Sequence, residues 1–196
     1  MSNTKIALAL SIATLLSGTA FADTVAEKDQ QRDVNQQQRI EQGLQSGQLN
    51  TKEAGRLERE QQHVDRVEAH DLKDGHVSAA EQMRLDKVQN AASADIYKQK
   101  HDAQQGNPNS ASSQRMQTDV QRNVNQQTRI QNGMQNGSLT NREASRVEAG
   151  QARTDRKISN AAADGHVGAA EQGRVQRTEN RQSRDIYRKK HNARTK

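Results

Sequence analysis

Residues 47–57, which have the sequence Gly-Gln-Leu-Asn-Thr-Lys-Glu-Ala-Gly-Arg-Leu, combine the signal that ends one helix with the signal that begins the next. Gly47 predicts the helix end, because glycine readily adopts the left-handed conformation that closes a helix. Asn50 has the short polar side chain of an N-cap, and Glu53 completes a capping box three residues later. Leu49 precedes the cap and can pack into the corner. The stretch therefore predicts two helices joined by a connection of about three residues.

The same arrangement of glycine, apolar residue, cap and glutamate occurs at three further corners. These corners begin at Gly75, Gly137 and Gly165, and their cap positions hold Ser78, Thr140 and Gly168. Gly168 has no capping side chain, so we expect the fourth corner to be weaker. Apolar residues at spacings of three and four, as at Leu85, Val88, Ala92 and Ile96, predict a narrow buried side on each helix. We expect helices over 28–46, 51–73, 78–103, 117–136, 141–163 and 168–192, and no strands.

The chain contains the same block twice, offset by 90 positions. Residues 33–104 and 123–194 are identical at 34 of 72 positions. The lone proline, Pro108, lies among Gly, Asn and Ser residues, a composition typical of a linker. The sequence therefore predicts an all-α chain of two tandem three-helix units, 23–105 and 114–196, with small cores and a flexible linker at 106–113. Whether the two units pack together is left open.

The first 22 residues have the composition of an export signal. Lys5 supplies a positive charge, residues 6–16 form a short apolar run, and Ala20-Phe21-Ala22 matches a small-x-small cleavage site. The run is too short to span a bilayer, and no later stretch is apolar enough. The chain has no Cys, which excludes a lipid-anchored form and thiol chemistry. We expect cleavage near Ala22 and a periplasmic or secreted protein without a transmembrane segment.

The apolar content is low for a globular protein. Hydrophobic residues make up 30% and aromatic residues 2% of the chain, whereas a typical domain is about 45–50% apolar. This composition predicts thin contacts between helices and marginal stability. We expect the carboxylates to lie on polar helix surfaces, where nothing would raise a pKa, and no pocket that excludes water. The sequence thus favours a protein that is not an enzyme.

The two units carry opposite net charge. Residues 23–106 hold 12 Lys and Arg against 16 Asp and Glu, a net −4, and residues 107–196 hold 17 against 8, a net +9. Five arginines of the last helix recur at spacings of three and four residues, which aligns them in one stripe. They are Arg174, Arg177, Arg181, Arg184 and Arg188, with Lys189 and Lys190 beside the end. Because a guanidinium can donate two hydrogen bonds to one phosphate, the stripe predicts an anion-binding face.

Several partners fit such a face. Lipopolysaccharide phosphates and phospholipid headgroups suit an exported protein best. A third target is the acidic unit of another copy, which would give self-association, and another acidic protein also fits. Nucleic acid is disfavoured, because export is predicted and no aromatic residue interleaves with the arginines for base stacking. The alternative is a solvated helix face without a partner.

The corner Asp74-Gly75-His76-Val77-Ser78-x-x-Glu81 resembles the second half of an EF-hand calcium loop, and residues 164–171 repeat most of it. The resemblance implies a helix–loop–helix corner with oxygen ligands. In that family, positions one and three carry Asp or Asn, but here they hold His70 and Leu72, or Asn160 and Ala162. A metal site at these corners would use Asp74, His76, Glu81, Asp164, His166 and Glu171. We expect no resident cofactor, with calcium or a transition metal such as zinc or copper as the alternative.

Residues 129–148 have the pattern Arg-Ile-x-x-Gly-x-x-x-Gly-x-Leu-Thr-x-x-Glu-Ala-x-Arg-x-Glu, which resembles small exported bacterial proteins built from helical repeats. The match extends through Asp-Ile-Tyr-x-x-Lys-His at 95–101 and 185–191. It implies a compartment and an architecture, but no activity. The leading hypothesis is an exported, non-enzymatic protein that binds an anionic surface or partner. The alternatives are a periplasmic binder of divalent metals and an extracytoplasmic stress protein of low intrinsic order.

Overall fold

The computed structural model describes the backbone of residues 18–193 and the side chains of residues 26–193, and this part of the chain is all-α. Its helices are α1 Gly18–Ser46, α2 Thr51–Asp71, α3 Ala79–Lys100, α4 Ala111–Gln135, α5 Asn141–Ala161 and α6 Ala169–Lys190. The predicted bounds agree to within a few residues except at two starts. Helix α1 begins at Gly18, and α4 begins inside the predicted linker 106–113. The predicted export signal lies largely outside the described residues.

The four corners have the conformations that the sequence predicts. Their glycines have φ between +73° and +94°, the left-handed region, and are Gly47, Gly75, Gly137 and Gly165. At the first three corners the cap side chain accepts a hydrogen bond from the glutamate N–H, and the glutamate accepts one from the cap N–H. At the fourth, only the second of these bonds forms, from Gly168 N to Glu171 Oε2 at 2.9 Å. The fourth cap thus has one hydrogen bond where the others have two, and the expected weakness of this corner stays a prediction.

The two units, α1–α3 and α4–α6, pack together with approximate two-fold symmetry. Helix α2 lies antiparallel to α5, since Gly55 near the start of α2 meets Ala162 at the end of α5. Near the other end, Ser145 of α5 donates a hydrogen bond to the Ala69 carbonyl of α2. Helix α1 packs along α4 in the same way, while α3 packs on α1 and α2, and α6 on α4 and α5. Helices α1, α2, α4 and α5 thus form a central bundle flanked by α3 and α6.

The start of α5 also holds the corner between α2 and α3 of the other unit. Asn141 Nδ2 donates a hydrogen bond to the Gly75 carbonyl at 3.0 Å, and Arg142 Nε donates to the Asp74 carbonyl at 3.1 Å. On the opposite side, Lys52 at the start of α2 packs beside Gly165. The corners that resemble EF-hand loops are therefore contact points between the two units.

The apolar core is divided between the two ends of the central bundle. One cluster includes Leu44, Leu57 and Ile158, the other includes Ile130 and Leu139, and both draw on the two units. Between them, the buried residues of all four helices are mostly polar. We call this region the central polar layer. It consists of Asp33, Gln37, Glu58, Gln61, Asp65, Glu68, Asn123, Gln127, Glu148, Gln151 and Asp155.

None of the helices within residues 18–193 combines the length and the apolar character that crossing a bilayer requires.

Gly55 permits the close approach of α2 and α5, because a Cβ atom there would lie 2.6 Å from the Cβ of Ala162. We expect Gly55→Ala to lower the Tm by roughly 2–8 °C, since overpacking outweighs the gain in helix propensity. Gly173→Ala is the matched control in α6, where the nearest atom would be 3.9 Å away. It should raise the Tm by roughly 2–4 °C. Thermal unfolding followed by circular dichroism measures both, and equal shifts would refute the close contact.

Candidate functional site

The five arginines predicted to form a stripe all lie on the exposed side of α6. The opposite side of the helix is buried against α4 and α5 through Val175, Glu179, Gln182 and Ile186. The stripe spans 14 residues of helix, which corresponds to about 21 Å. The helix therefore presents one continuous row of guanidinium groups to solvent. We call this row, Arg174, Arg177, Arg181, Arg184 and Arg188, the arginine face.

Only the two ends of the arginine face have acidic partners within the described part of the chain. Arg174 lies 3.8 Å from Glu171, and Arg188 forms an ion pair with Asp185. Both partners are one turn away on the same helix. The three central guanidinium groups have no ion pair and no hydrogen bond to another described residue. The middle of the face is thus left with uncompensated positive charge.

The two lysines predicted beside the stripe are less exposed than the five arginines. Lys190 Nζ donates a hydrogen bond to the Arg129 carbonyl at 3.1 Å, and burial, followed by the charge of Arg129, lowers the pKa of Lys190. Against the effect of burial, hydrogen bonds with Asn192 and Thr140, and to a smaller extent the charge of Lys189, lower the pKa of Glu143. Lys190 is therefore held by the rest of its unit, and Lys189 lies half-buried at the end of the arginine face.

A groove between α4 and α6 adjoins the end of the arginine face. Its volume is about 450 Å³, and it is lined by Arg129, Ser183, Arg184, Tyr187 and Arg188. Arg129 reaches across it and donates a hydrogen bond to Ser183 Oγ at 2.6 Å. Tyr187 is 57% exposed and stacks on the His191 ring, with ring centroids 4.1 Å apart. Tyr187 lies on the turn between Arg184 and Arg188, so the expectation that no aromatic residue interleaves with the arginines is wrong at this end of the face.

The equivalent face of α3 has fewer positive charges than the arginine face of α6. At the five matching positions α3 has Arg84, Lys87, Ala91, Ala94 and Lys98. Arg84 is drawn into an ion pair with buried Asp71. The middle of the α3 face is formed by two exposed alanines. The same fold position thus carries a face with a neutral middle in one unit and a row of five cations in the other.

The corners suggested as metal sites use their carboxylates to hold the backbone. Asp74 Oδ1 accepts a hydrogen bond from the His76 N–H at 2.9 Å, and Asp164 Oδ1 does the same for His166 at 2.8 Å. Glu81 and Glu171 accept from the N–H groups at their helix starts. Both corner histidines are exposed. A different group, His70, Asp71 and Glu81, lies close together, but Arg84 already pairs with its aspartate.

The expectation that carboxylates lie on polar surfaces is wrong for the centre of the molecule. Six carboxylates of the central polar layer are at most 1% exposed, and they are Asp33, Glu58, Asp65, Glu68, Glu148 and Asp155. Among the described side chains, no Lys, Arg or His is buried with them. Their neighbours in the layer are carboxamides, which donate hydrogen bonds but carry no charge. Asn123 Nδ2, for example, donates to Asp155 Oδ1 at 2.7 Å.

Burial raises the pKa of every carboxyl in this layer, because an ionised group loses its hydration there. It raises the pKa of Asp33 and of Asp155 to about 7 from 3.8. The pKa values of the other four lie well above the ordinary value, first through burial and next through a neighbouring carboxylate. Within two pairs, Asp33 with Glu68 and Asp65 with Asp155, each carboxyl also affects the pKa of the other. The layer therefore holds protons at pH values where surface carboxyls have lost them.

No protein-family model matches the chain, and comparison with curated proteins and with solved structures finds no similar protein. The resemblance to exported helical-repeat proteins stays a prediction. The geometry of the arginine face and of the central polar layer is what bears on function.

The central polar layer predicts an unusual pH dependence of stability. A carboxyl whose pKa is raised by folding binds its proton more tightly in the folded chain, so its contribution to the unfolding free energy is largest at low pH. That contribution declines from about pH 4 upward and is lost above the folded pKa, near 7 for Asp33 and Asp155. We expect the Tm, measured in a chelator, to be higher at pH 5 than at pH 8. A change of about 2 kcal/mol would move it by roughly 4–8 °C.

The matched variant is Asp155→Asn, which removes one of the raised groups while keeping its shape. It should reduce the difference in Tm between the two pH values. A wild-type Tm that is equal at both values, or higher at pH 8, would contradict the prediction.

Proposed function

We propose that this chain is an exported, non-enzymatic protein that binds phosphate-bearing anionic surfaces through the arginine face of α6. The observation that supports the proposal most directly is the absence of acidic partners at the three central arginines in the described part of the chain. Like charges one turn apart repel by roughly 0.2–0.5 kcal/mol per pair. A surface of phosphates relieves this repulsion and receives two hydrogen bonds from each planar guanidinium.

The groove beside the face adds to this support. Tyr187 has an apolar ring and a polar tip, a combination that suits the boundary between headgroups and acyl chains. Arg184 and Arg188 line the same groove, so a phosphate bound by them would lie against the ring. The flat row of cations and the single aromatic fit a headgroup surface better than a deep membrane insertion, because the face has no other large apolar side chain.

A lipid phosphate is a better partner than the acidic unit of a second copy. Unit one has more acids than bases, but eight of its described acidic side chains are buried. They are Asp29, Asp33, Glu41, Glu53, Glu58, Asp65, Glu68 and Asp71. Buried acids cannot meet an arginine face on another molecule. Surface charge complementarity between copies is therefore much weaker than the net charges of the two units imply.

Binding to vesicles of phosphatidylglycerol and to lipopolysaccharide, measured by co-sedimentation at rising salt, tests the proposal. We expect binding at low ionic strength that declines steeply as salt is added, because the contacts are between exposed charges. Replacing all five arginines of the face with Gln should weaken binding at least about tenfold, since each cation near an anionic surface contributes about 1 kcal/mol.

The control is a variant with the same loss of charge in unit one. Lys52, Arg56, Arg59, Lys87 and Lys98 are exposed and form no ion pair. Their replacement by Gln should leave most of the binding intact. Equal weakening by the two variants would show that net charge, rather than the face, is responsible. Salt-independent binding, or binding only to neutral vesicles, would refute the proposal, and a concentration-dependent dimer lost in the five-arginine variant would favour self-association instead.

A further inference from the structure

The central polar layer departs from the two-fold symmetry of the fold at two positions, where unit one has Asp33 and Glu68 and unit two has Asn123 and Ile158. In unit two, Asn123 Nδ2 donates to Glu58 Oε2 at 3.2 Å and to Asp155 Oδ1 at 2.7 Å, so a neutral amide satisfies two carboxylates. The equivalent residue of unit one is Asp33, which faces the equivalent two acids. A carboxylate thus stands where the repeat otherwise supplies a hydrogen-bond donor. The charge of this half of the layer needs another source of compensation.

Asp33 belongs to a group of carboxylates that one ion could contact. An oxygen of Asp33, one of Asp65 and one of Glu68 all lie within 4.8 Å of one another. Oxygens on opposite sides of a bound Ca²⁺ are about 4.6–5.2 Å apart, so these separations fit a shared ion. Each of the three side chains is only 1% exposed. They come from two helices of unit one and converge in the centre of the bundle.

Glu148 approaches the same group from α5, in the other unit. Its side chain is fully buried, and neither carboxylate oxygen accepts a hydrogen bond. After burial, the charge of Asp33 is the main cause that raises the pKa of Glu148. Glu148 in turn contributes to the raised pKa of Asp65 and of Glu68. A buried carboxylate without a hydrogen-bond partner thus lies close enough to the three others to interact electrostatically with each of them.

Glutamine side chains hold Asp33 and Asp65 by one oxygen each and leave the other open, whereas both oxygens of Glu68 accept hydrogen bonds, from Gln30 at 2.9 Å and from Gln89 at 3.1 Å. Gln89 donates to Asp33 Oδ1 at 3.0 Å and Gln127 to Asp65 Oδ1 at 3.2 Å, while the Oδ2 atoms of both aspartates have no partner. Gln127, which donates its hydrogen bond to Asp65, also lowers the pKa of Glu148. Amides that orient a carboxylate and leave an oxygen free are typical of the outer shell of a metal site.

We propose that Asp33, Asp65, Glu68 and Glu148 form a binding site for Ca²⁺ in the centre of the bundle. All four ligands are hard oxygen donors, and no imidazole or thiol is near, which favours Ca²⁺ over zinc or copper. Mg²⁺ retains several of its waters, which a fully buried group of side chains does not accommodate. This site lies apart from the corners that resemble EF-hand loops and does not depend on the arginine face.

Thermal unfolding of the full chain at pH 8 in EDTA, in Ca²⁺ and in Mg²⁺ tests the site. We expect Ca²⁺ to raise the Tm by roughly 5–10 °C at about a hundred times its dissociation constant, and Mg²⁺ to raise it much less. Because the ion displaces protons held by buried carboxyls, the Ca²⁺ effect should shrink at pH 5. Calorimetry in buffers of different ionisation enthalpy should show proton release on binding.

The internal repeat indicates which substitutions should remove the Ca²⁺ site. Asp33→Asn with Glu68→Ile introduces the residues that unit two already has at the equivalent positions, Asn123 and Ile158. This variant should lose the Ca²⁺ response. The control, Asp119→Asn with Glu179→Gln, removes two buried carboxyls outside the group and should keep the response.

Three results would overturn the proposal. A wild-type Tm that rises on acidification but ignores Ca²⁺ would show that protons alone compensate the layer. A Ca²⁺ response that survives in the Asp33→Asn, Glu68→Ile variant would place the ion elsewhere. If that variant does not fold, calorimetry of proton release by the wild type tests whether the buried carboxyls bind Ca²⁺. Binding without proton release would exclude these buried, protonated carboxyls as the ligands.

Discussion

The fold depends on a buried layer of carboxyl and carboxamide groups, in which the amides donate hydrogen bonds to the carboxylates. The chain has enough apolar side chains to fill the two ends of the central bundle, but not its middle. Leaving a buried polar group without a partner costs about 1–3 kcal/mol, so the layer tolerates few changes in the alignment of its helices. Asn123 of α4, for example, bonds to acids of α2 and of α5 together. Polar contacts of this kind fix the register of the two units more strictly than apolar contacts could.

The central polar layer also determines where the acidic charges of unit one lie. The acidic excess of unit one is largely internal, where it is shared among protons and amides, while the basic excess of unit two lies mainly on the outside of α6. The opposite net charges therefore reflect acids that are buried in unit one and bases that are exposed in unit two. They do not correspond to one acidic and one basic surface. A partner in solution meets the arginine face without meeting an acidic face of similar strength.

The sequence predicts the elements of this fold better than their assembly. Capping boxes and left-handed glycines act over a few residues, so the corners at Gly47, Gly75 and Gly137 are predictable from local physics. The exposed side of α6 is predictable for the same reason, since helical spacing alone aligns the arginines. The packing of the two units is not, because it joins residues more than 60 positions apart whose side chains are polar.

The carboxylates were misjudged because residue type was taken as a guide to burial. One signal was present in the sequence. Gln61, Asp65 and Glu68 continue the helical spacing that begins at Leu57 and ends at Leu72, so polar residues occupy the positions of an apolar stripe. The first two are also identical in the second copy, at Gln151 and Asp155. Spacing of this kind indicates a buried side even where the residues themselves suggest solvent.

The way α6 packs explains how it can carry five cations and still hold one orientation. Compared with α3, it has Val175 for Leu85 and Gln182 for Ala92, so apolar contact has been lost. Gln182 instead enters a notch that Gly150 leaves in α5, where a Cβ atom would overlap its amide. There its Nε2 donates a hydrogen bond to the Val147 carbonyl at 2.7 Å.

A directional bond to the backbone restricts rotation of a helix more than an apolar contact of similar size, because it weakens steeply when the donor angle changes. Rotation of α6 would break this bond and expose Glu179, which is buried one turn away. The polar packing of the inner side thus keeps the guanidinium groups directed outward. The arginine face is therefore a consequence of how the helix is buried, and not only of its spacing.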